Sequence, residues 1–411
     1  MGNISKGAGN LPFQIYFDNA ATTPLLPEAL ECLTETSRDI YGNSSSAHTI
    51  GKRSSAILNE SKATFAELFG VPPEHVVFTS GGTESNNLAV WGALGGIVNV
   101  FHWLKSPRAR DEQILTSVVE HAATQKIFEQ FDLLGANVSW LGVNSECLID
   151  SNTLSNSLAN NQRVRILSLH HVQNEIGAVQ PIRQIADQVR EHSPEALVHI
   201  DAIQSFAKIP VDLEALNVDL VSVSGHKIGG PKGIGALVLG RRFADRKPKL
   251  GTILAGSGQQ DGLRPGTVPV PLIASFATAA KLGISRLENQ RRTLETLRNR
   301  LAEKLNGIAT VNGPSDLSFN SPFRAPQTLN FSLTPVQASS VVEVLSAKGI
   351  CISAGSACQS SGSRGSEVLL RMGLGASRAQ SALRASFSVK NSVEEVDILA
   401  EALNECLRIG H

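Results

Sequence analysis

A lysine stands where an apolar run breaks. Asp219 to Val223 is β-branched and apolar, and Ser224-Gly225-His226-Lys227 follows it directly, ahead of Gly229-Gly230-Pro231-Lys232-Gly233. That order puts an amine in a glycine-rich loop at the end of a buried strand, where a ligand can approach closely. A lysine amine forms Schiff bases with carbonyl cofactors, and partial desolvation lowers its pKa enough to free it. Alone, Lys227 reads more simply as a surface lysine in a turn. Other groups have the same double character. Gly81-Gly82-Thr83, at a predicted helix start, offers backbone N–H groups, a hydroxyl and the positive end of the helix dipole to a phosphate, or merely turns the chain with Thr83 or Ser80 as cap. Asp201, ending Leu197-Val198-His199-Ile200, caps a helix or pairs with a protonated ring nitrogen. Gln204, three residues on, lies on the surface or bonds a phenolic oxygen. His121 is a satisfied core histidine or an acid/base group stacked on a ring. His170-His171 has no partners at metal-ligand spacing and is read as structural.

The elements that must position these residues alternate in a simple way. Val76–Thr79, Ile114–Val118, Val138–Val143, Val164–Leu169, Leu197–Ile200, Asp219–Val223 and Gly235–Leu239 read as buried strands separated by helical patterns. This predicts an α/β fold whose large domain has a mainly parallel sheet covered on both faces. Each polar cluster follows a strand, the place where open α/β sheets bind ligands. Gln14–Phe17 is a further short strand, and Pro27–Ile40 and Gly51–Phe69 are helices, the second stopped by Gly70. From about Gly262 the texture changes. One long helix is expected over Leu272–Leu305, followed by short strands (Thr328–Leu333, Ile350–Ser353, Leu383–Phe387) and helices (Ala338–Lys348, Val393–Leu407). The division expected is a large domain over residues 20–262 and a smaller α+β domain made of residues 1–19 and 263–411. Ser353–Ser366, rich in serine and glycine, is expected to be mobile.

Composition narrows the function classes. The 411 residues carry 37 Lys plus Arg against 37 Asp plus Glu, a formal charge of zero, so nothing favours nucleic acid or a membrane surface as partner. The five cysteines (Cys32, Cys147, Cys351, Cys358 and Cys406) are scattered without a CxxC pair, which fits neither a disulfide framework nor a zinc site and suggests a reducing cytosol. The first ten residues lack the apolar core of a signal peptide, Lys6 breaks a myristoylation pattern, and no apolar run has the length of a membrane span. A cytoplasmic protein is expected.

Taken together the clusters specify more than any one of them. A phosphate site, a carboxylate for a ring nitrogen and a Schiff-base lysine are what pyridoxal 5'-phosphate requires of a protein. The motifs Phe17-Asp-Asn-Ala-Ala-Thr-Thr-Pro24, Tyr41-Gly-Asn-Ser-Ser-Ser-Ala-His48, Thr79-Ser-Gly-Gly-Thr-Glu-Ser85, Val119-Glu-His121, Asn174-Glu-Ile-Gly177, His199-Ile-Asp-Ala-Ile-Gln-Ser205, Ser224-Gly-His-Lys227, Arg264-Pro-Gly-Thr267, Gly355-Ser-Ala-Cys358 and Arg384-Ala-Ser386 run through nearly the whole chain. In these the sequence resembles the cysteine desulfurases of the NifS/IscS type, within the class V aminotransferase-like group of fold type I enzymes.

The resemblance implies a seven-stranded sheet in the large domain and a role for each site residue. Lys227 would carry pyridoxal phosphate; Gly82, Thr83, Ser224 and His226 would hold its phosphate, joined by Thr267 from a partner subunit. Asp201 would keep the ring nitrogen protonated, Gln204 would bond the phenolic oxygen, and His121 would stack on the ring and move protons. Arg384 would grip the substrate α-carboxylate in a two-pronged pair, assisted by Asn174. Cys358, on the serine/glycine-rich stretch, would take the sulfur of L-cysteine as a persulfide, leave L-alanine, and pass the sulfur by exchange to an acceptor protein, an iron–sulfur scaffold or a sulfur carrier. No resident metal is implied, although Cys358 is a candidate transient ligand to an iron–sulfur cluster. A homodimer is expected. Selenocysteine lyases share the scaffold, a transaminase would not need Cys358, and a catalytically idle scaffold would not need the intact set. Cys351, in an apolar strand, is expected in the core. Three features depart from the family's pattern: Ser44 replaces a usual proline, Gly229 a usual aromatic, and Asn99–Glu112 reads as an extra loop.

Overall fold

The computed structural model describes residues 14–160, 162–244, 250–355 and 365–409. The strands are β1 (Ile15–Tyr16), β2 (Val76–Thr79), β3 (Glu112–Ser117), β4 (Val138–Leu141), β5 (Arg163–His170), β6 (Leu197–Asp201), β7 (Leu220–Ser224), β8 (Gly235–Leu239), β9 (Thr310–Val311), β10 (Thr328–Ser332), β11 (Ile350–Cys351), β12 (Ser353–Ala354) and β13 (Ala382–Ser386). The helices are α1 (Pro27–Asp39), α2 (Thr49–Phe69), α3 (Gly82–Ala93), α4 (Gly96–Lys105), α5 (Ala122–Leu133), α6 (Ser151–Leu158), α7 (Ile182–His192), α8 (Arg241–Ala244), α9 (Val270–Ser285), α10 (Leu287–Lys304), α11 (Ala338–Ala347), α12 (Glu367–Arg371), α13 (Ala376–Gln380) and α14 (Val393–Ile409).

A seven-stranded sheet in the order β2-β8-β7-β6-β5-β3-β4 forms the larger body. Only β8 runs against its neighbours. β2 and β5–β8 are buried almost throughout because helices cover both faces, which is why these strands read as continuous apolar runs rather than as alternating ones. One face packs on α2 and α9 around the Phe65–Phe78–Phe276 aromatic group, and the other on α3 and α5 around Phe128 and Phe131. A four-stranded sheet, β12-β13-β10-β9, and the pair β1-β11 form a second core with α10, α11 and α14. The N-terminal strand thus reaches across to the C-terminal third of the chain, Ile15 and Phe17 lying in the second core.

Several expected elements come out differently. The single helix over Leu272–Leu305 is two helices, bent by 74° at Arg286. No proline causes the bend; the chain leaves one core for the other there. Ile273, Phe276 and Ala280 of α9 pack with the large sheet, while Leu294, Leu297 and Leu301 of α10 pack with the small one. The α9 segment therefore lies with the large body, on the other side of the expected division at residues 262 and 263. The extra loop expected over Asn99–Glu112 is largely the second half of α4 and a 3₁₀ turn at Pro107–Arg110, anchored by Val100 and Trp103. The Trp103 indole donates to Glu112 Oε2 at 2.6 Å and lies under the Arg165 guanidinium. Ser353 and Ala354, expected at the start of a mobile stretch, pair with β13. Cys351 is only half-buried rather than core. Gly229 has φ of +82°, and a side chain there would strike Leu26, which accounts for the missing aromatic. Among the described residues no single helix is long and apolar enough to cross a membrane.

Two buried histidines lie in the large body. His199 lies wholly inside between β5 and β7, bonded to Ser168 Oγ at 2.8 Å and Ser222 Oγ at 2.9 Å, and burial pushes its pKa down to about 3. His171 is likewise buried and brought down to about 4, chiefly by desolvation and then by His170. Both are neutral when folded and take up a proton when exposed, with an ordinary value of about 6.5. Their contribution to stability is complete above that value and is lost as pH falls toward 4 and then 3. Urea unfolding measured between pH 7.5 and 5 should therefore show stability declining below about pH 6.5, at up to about 1.4 kcal/mol per pH unit for each histidine. A stability independent of pH across that range contradicts this assignment.

Candidate active site

The residues singled out by chemistry gather at one edge of the large sheet. β2, β3, β5, β6 and β7 all end there, and each hands the chain to a polar turn: Ser80–Thr83, Glu120-His121, His171–Asn174, Asp201–Gln204 and Ser224–Lys227. A cavity of about 220 Å³ is lined by Gly82, Thr83, His121, Asn174, Asp201, Gln204, Ser224, His226 and Lys227, together with Ala21, Ala123, His170, Val172 and Ile203. It adjoins a second of about 400 Å³, which shares Gly82, Thr83, Ser224 and His226 and adds Ser80, Thr22 and Lys232. A larger cavity of about 800 Å³, near Arg190 and Arg241 at the opposite end of the strands, contains none of the predicted residues.

Local structure explains each placement. Asp201, 5 % exposed, accepts from Asn86 Nδ2 at 2.6 Å and from the Ile203 amide at 3.0 Å. Burial nevertheless raises its pKa, against those hydrogen bonds and the nearby His121. A carboxylate held this way is completed by a cation at its side. His121 caps α5: its Nδ1 accepts from the Ala123 amide at 3.1 Å, so the ring proton sits on Nε2. Desolvation lowers its pKa, Asp201 opposes this and Lys227 reinforces it, so the imidazole is neutral near pH 7. Lys227 Nζ donates to the carbonyls of Ala20 (2.6 Å) and Ala21 (2.7 Å). Gln204 Nε2 donates to the same Ala20 carbonyl at 2.9 Å, which leaves its second N–H for another acceptor. His226 Nδ1 lies 3.2 Å from Thr22 Oγ1, and its pKa is brought down to about 4 by burial, then by Lys227 and Lys232.

The donor set fits a phosphorylated pyridine aldehyde. Ser224 Oγ is buried in the wall common to both cavities and has no hydrogen-bond partner among the described residues, as expected of a hydroxyl waiting for a phosphate oxygen. Next to it are the first-turn amides of α3, including those of Gly82 and Thr83. A side chain at Gly82 would come within 2.1 Å of Ile203 Cδ1, so that this residue of the cavity wall would have to shift. The aldehyde-reactive amine, the buried carboxylate and the phosphate donors thus open on one space.

Residues 15–399 match the aminotransferase class-V family. The chain belongs to that family. Among relatives of this class-V chain, the cysteine desulfurase IscS of Rickettsia africae (strain ESF-5) is 34% identical over 391 residues, covering 94% of this chain and 90% of that protein. The mitochondrial cysteine desulfurase of Drosophila melanogaster is also 34% identical, over 94% of this chain and 79% of its own. A solved NifS-like protein superposes with a TM-score of 0.84 at 30% identity, covering 97% of this chain and all of that one. The solved structure of SspA in complex with cysteine gives a TM-score of 0.74 at 29% identity, covering 92% and 100%.

Two of the predicted residues lie apart from the cavities. Arg384 is 2 % exposed on β13, behind Asn174, whose carbonyl accepts from its Nη1 at 3.0 Å. Thr267 is exposed and lines neither cavity. Cys358 lies outside the described residues. Residues missed from sequence include Asn86, one turn into α3, and the Ala20 and Ala21 carbonyls. The latter sit in the Asp-Asn-Ala-Ala-Thr-Thr motif, but backbone acceptors leave no mark on residue type. His170, expected to be structural, is held by Glu120 at 2.9 Å and by Gln180 and also forms part of the cavity wall. In the class-V chain, Gly82→Ala should weaken retention of pyridoxal phosphate about tenfold or more, since overpacking costs about 1–3 kcal/mol. Equilibrium dialysis measures this, and unaltered retention in a folded variant contradicts the geometry.

Proposed function

We propose that this chain is a pyridoxal-phosphate-dependent cysteine desulfurase. The observation that carries the reading is the convergence of Lys227, Asp201, His121 and the unpartnered Ser224 hydroxyl on one cavity, in a chain matched nearly end to end by cysteine desulfurases. When bound, the cofactor supplies an aldehyde for the substrate amine and a ring that accepts electrons from the substrate carbon. The side chains provide the rest. Lys227 presents the amine that fixes the aldehyde carbon. Asp201 holds a proton at the ring nitrogen, stabilised in its charged form by Asn86 and the Ile203 amide. His121 exchanges a proton through Nε2, its Nδ1 being committed to the α5 cap. Gln204 offers its remaining N–H to the phenolic oxygen, and Ser224, His226, Thr83 and the Gly82 amide hold the phosphate. Arg384 and Asn174 orient the substrate carboxylate.

Cys358 is the sulfur acceptor in this proposal. Its thiolate takes the sulfur of bound L-cysteine: an S–S bond forms as the Cβ–S bond breaks, the electron pair stays with carbon, and protonation gives L-alanine. The persulfide then passes its outer sulfur to the thiol of an acceptor, an iron–sulfur scaffold or sulfur carrier, by exchange. A cytoplasmic homodimer completes the reading. In it the exposed Thr267 serves the phosphate site of the partner subunit. Cys358→Ala should reduce alanine formation from cysteine by about a thousandfold or more, as expected for loss of a nucleophile, while pyridoxal phosphate stays bound. Full alanine turnover in that variant would overturn the persulfide route.

A further inference from the structure

The guanidinium of Arg384 is already occupied by a carboxylate. Nη2 donates to Asp18 Oδ1 at 2.7 Å and to Ser353 Oγ at 3.3 Å, and Nη1 donates to the Asn174 carbonyl. Nε is buried without a partner among the described residues. Asp18 Oδ1 also accepts from Ser353 Oγ at 2.7 Å. The backbone holds Asp18 in place: it bridges to Ser386 at the end of β13, and its carbonyl accepts from the Tyr16 hydroxyl at 3.1 Å. The carboxylate is therefore pressed on the guanidinium by a short tether, at the level of β13 and β12.

A planar guanidinium has two edges that can grip a carboxylate with parallel N–H bonds, Nε with Nη2 and Nη1 with Nη2. Both pass through Nη2, the nitrogen that Asp18 holds. The N–H groups left over, on Nε and one on Nη1, do not share an edge. Each edge uses a different N–H of Nη2, and Asp18 and Ser353 Oγ hold the two, so a two-pronged grip on an incoming carboxylate displaces one of them, and a second carboxylate beside Asp18 on one buried cation is repelled by it.

We propose that Asp18 is a specificity-determining residue that stands in for the substrate α-carboxylate in the free enzyme. It keeps the Arg384 guanidinium neutralised and aimed, and it sets the affinity for carboxylate ligands by competing with them. This rests on the reading of Arg384 as the carboxylate anchor. Asp18→Asn keeps the size and the acceptor oxygen but removes the charge. In the holoenzyme it should lower KM for cysteine, and the inhibition constant of alanine, about fivefold to twentyfold, the margin by which a charge-assisted bond exceeds a neutral one. The change should appear in KM rather than kcat, and inhibition by ethylamine, which has no carboxylate, should not move. Asp18→Glu keeps the charge and should not lower either constant. A merely structural Asp18 gives the opposite sign, a raised KM. An unchanged or raised KM and alanine constant in a folded Asp18→Asn variant overturns the proposal, as does an equal fall in Asp18→Glu. Equal inhibition of the wild-type enzyme by alanine and ethylamine would instead remove Arg384 as the anchor, and the underlying reading with it.

Discussion

A carboxylate buried at the end of a central strand is the constraint on which the rest depends. Asp201 is taken out of water by the strands either side of β6, yet Asn86 and the Ile203 amide are both arranged to donate to its charged form. Desolvation pushes the group toward neutrality, and hydrogen bonding pulls it back. The conflict ends when a cation lies beside it; at about 4 Å and an effective dielectric constant near 20, such a pair gains roughly 4 kcal/mol. In the proposed function a protonated ring nitrogen is that cation, and the other groups would be spaced around it: the Lys227 amine, the phosphate donors led by Ser224, and His121 with its Nε2–H. The strand ends supply these groups at one edge of the sheet because β2, β3, β5, β6 and β7 all run the same way.

The N-terminal segment couples the two bodies through the same site. Phe17 lies in the small core, Asn19 donates to the Ser386 carbonyl at 2.9 Å, and Ala20 accepts from both Lys227 and Gln204. Three residues on, the Thr23 amide donates to the His226 carbonyl at 3.0 Å. Seven residues of chain, Phe17–Thr23, therefore link Arg384 on one sheet to Lys227 on the other. Asp18 lies within that link, which is how it can bear on substrate affinity without lining the cavity.

Much of this was legible in the sequence because its period is local. The strands of the large sheet are apolar runs with a polar turn after each, and that pattern alone predicts a parallel sheet with its ligand edge at Lys227. What was illegible depends on tertiary contact. The run Leu272–Leu305 has unbroken helical character, and only the existence of two cores explains why it bends at Arg286. Asn99–Glu112 lacks turn signals strong enough to betray α4, whose anchor, Trp103, needs Arg165 and Glu112 from elsewhere. Asn86 and Asp18 are ordinary polar residues until the fold puts them against Asp201 and Arg384. The backbone acceptors of Lys227 carry no side-chain signal at all.

The most direct test of the account is to ask which amine takes the cofactor. The protein also contains Lys208, whose pKa burial brings down to about 8, and Lys232, on the wall of the adjoining cavity. Loading with pyridoxal phosphate, borohydride reduction and peptide mapping by mass spectrometry will locate the bond. A single modification on Lys227, absent from Lys227→Ala, is the predicted result. A label on Lys208 or Lys232, or none in protein that has been saturated with the cofactor, would contradict the site as built.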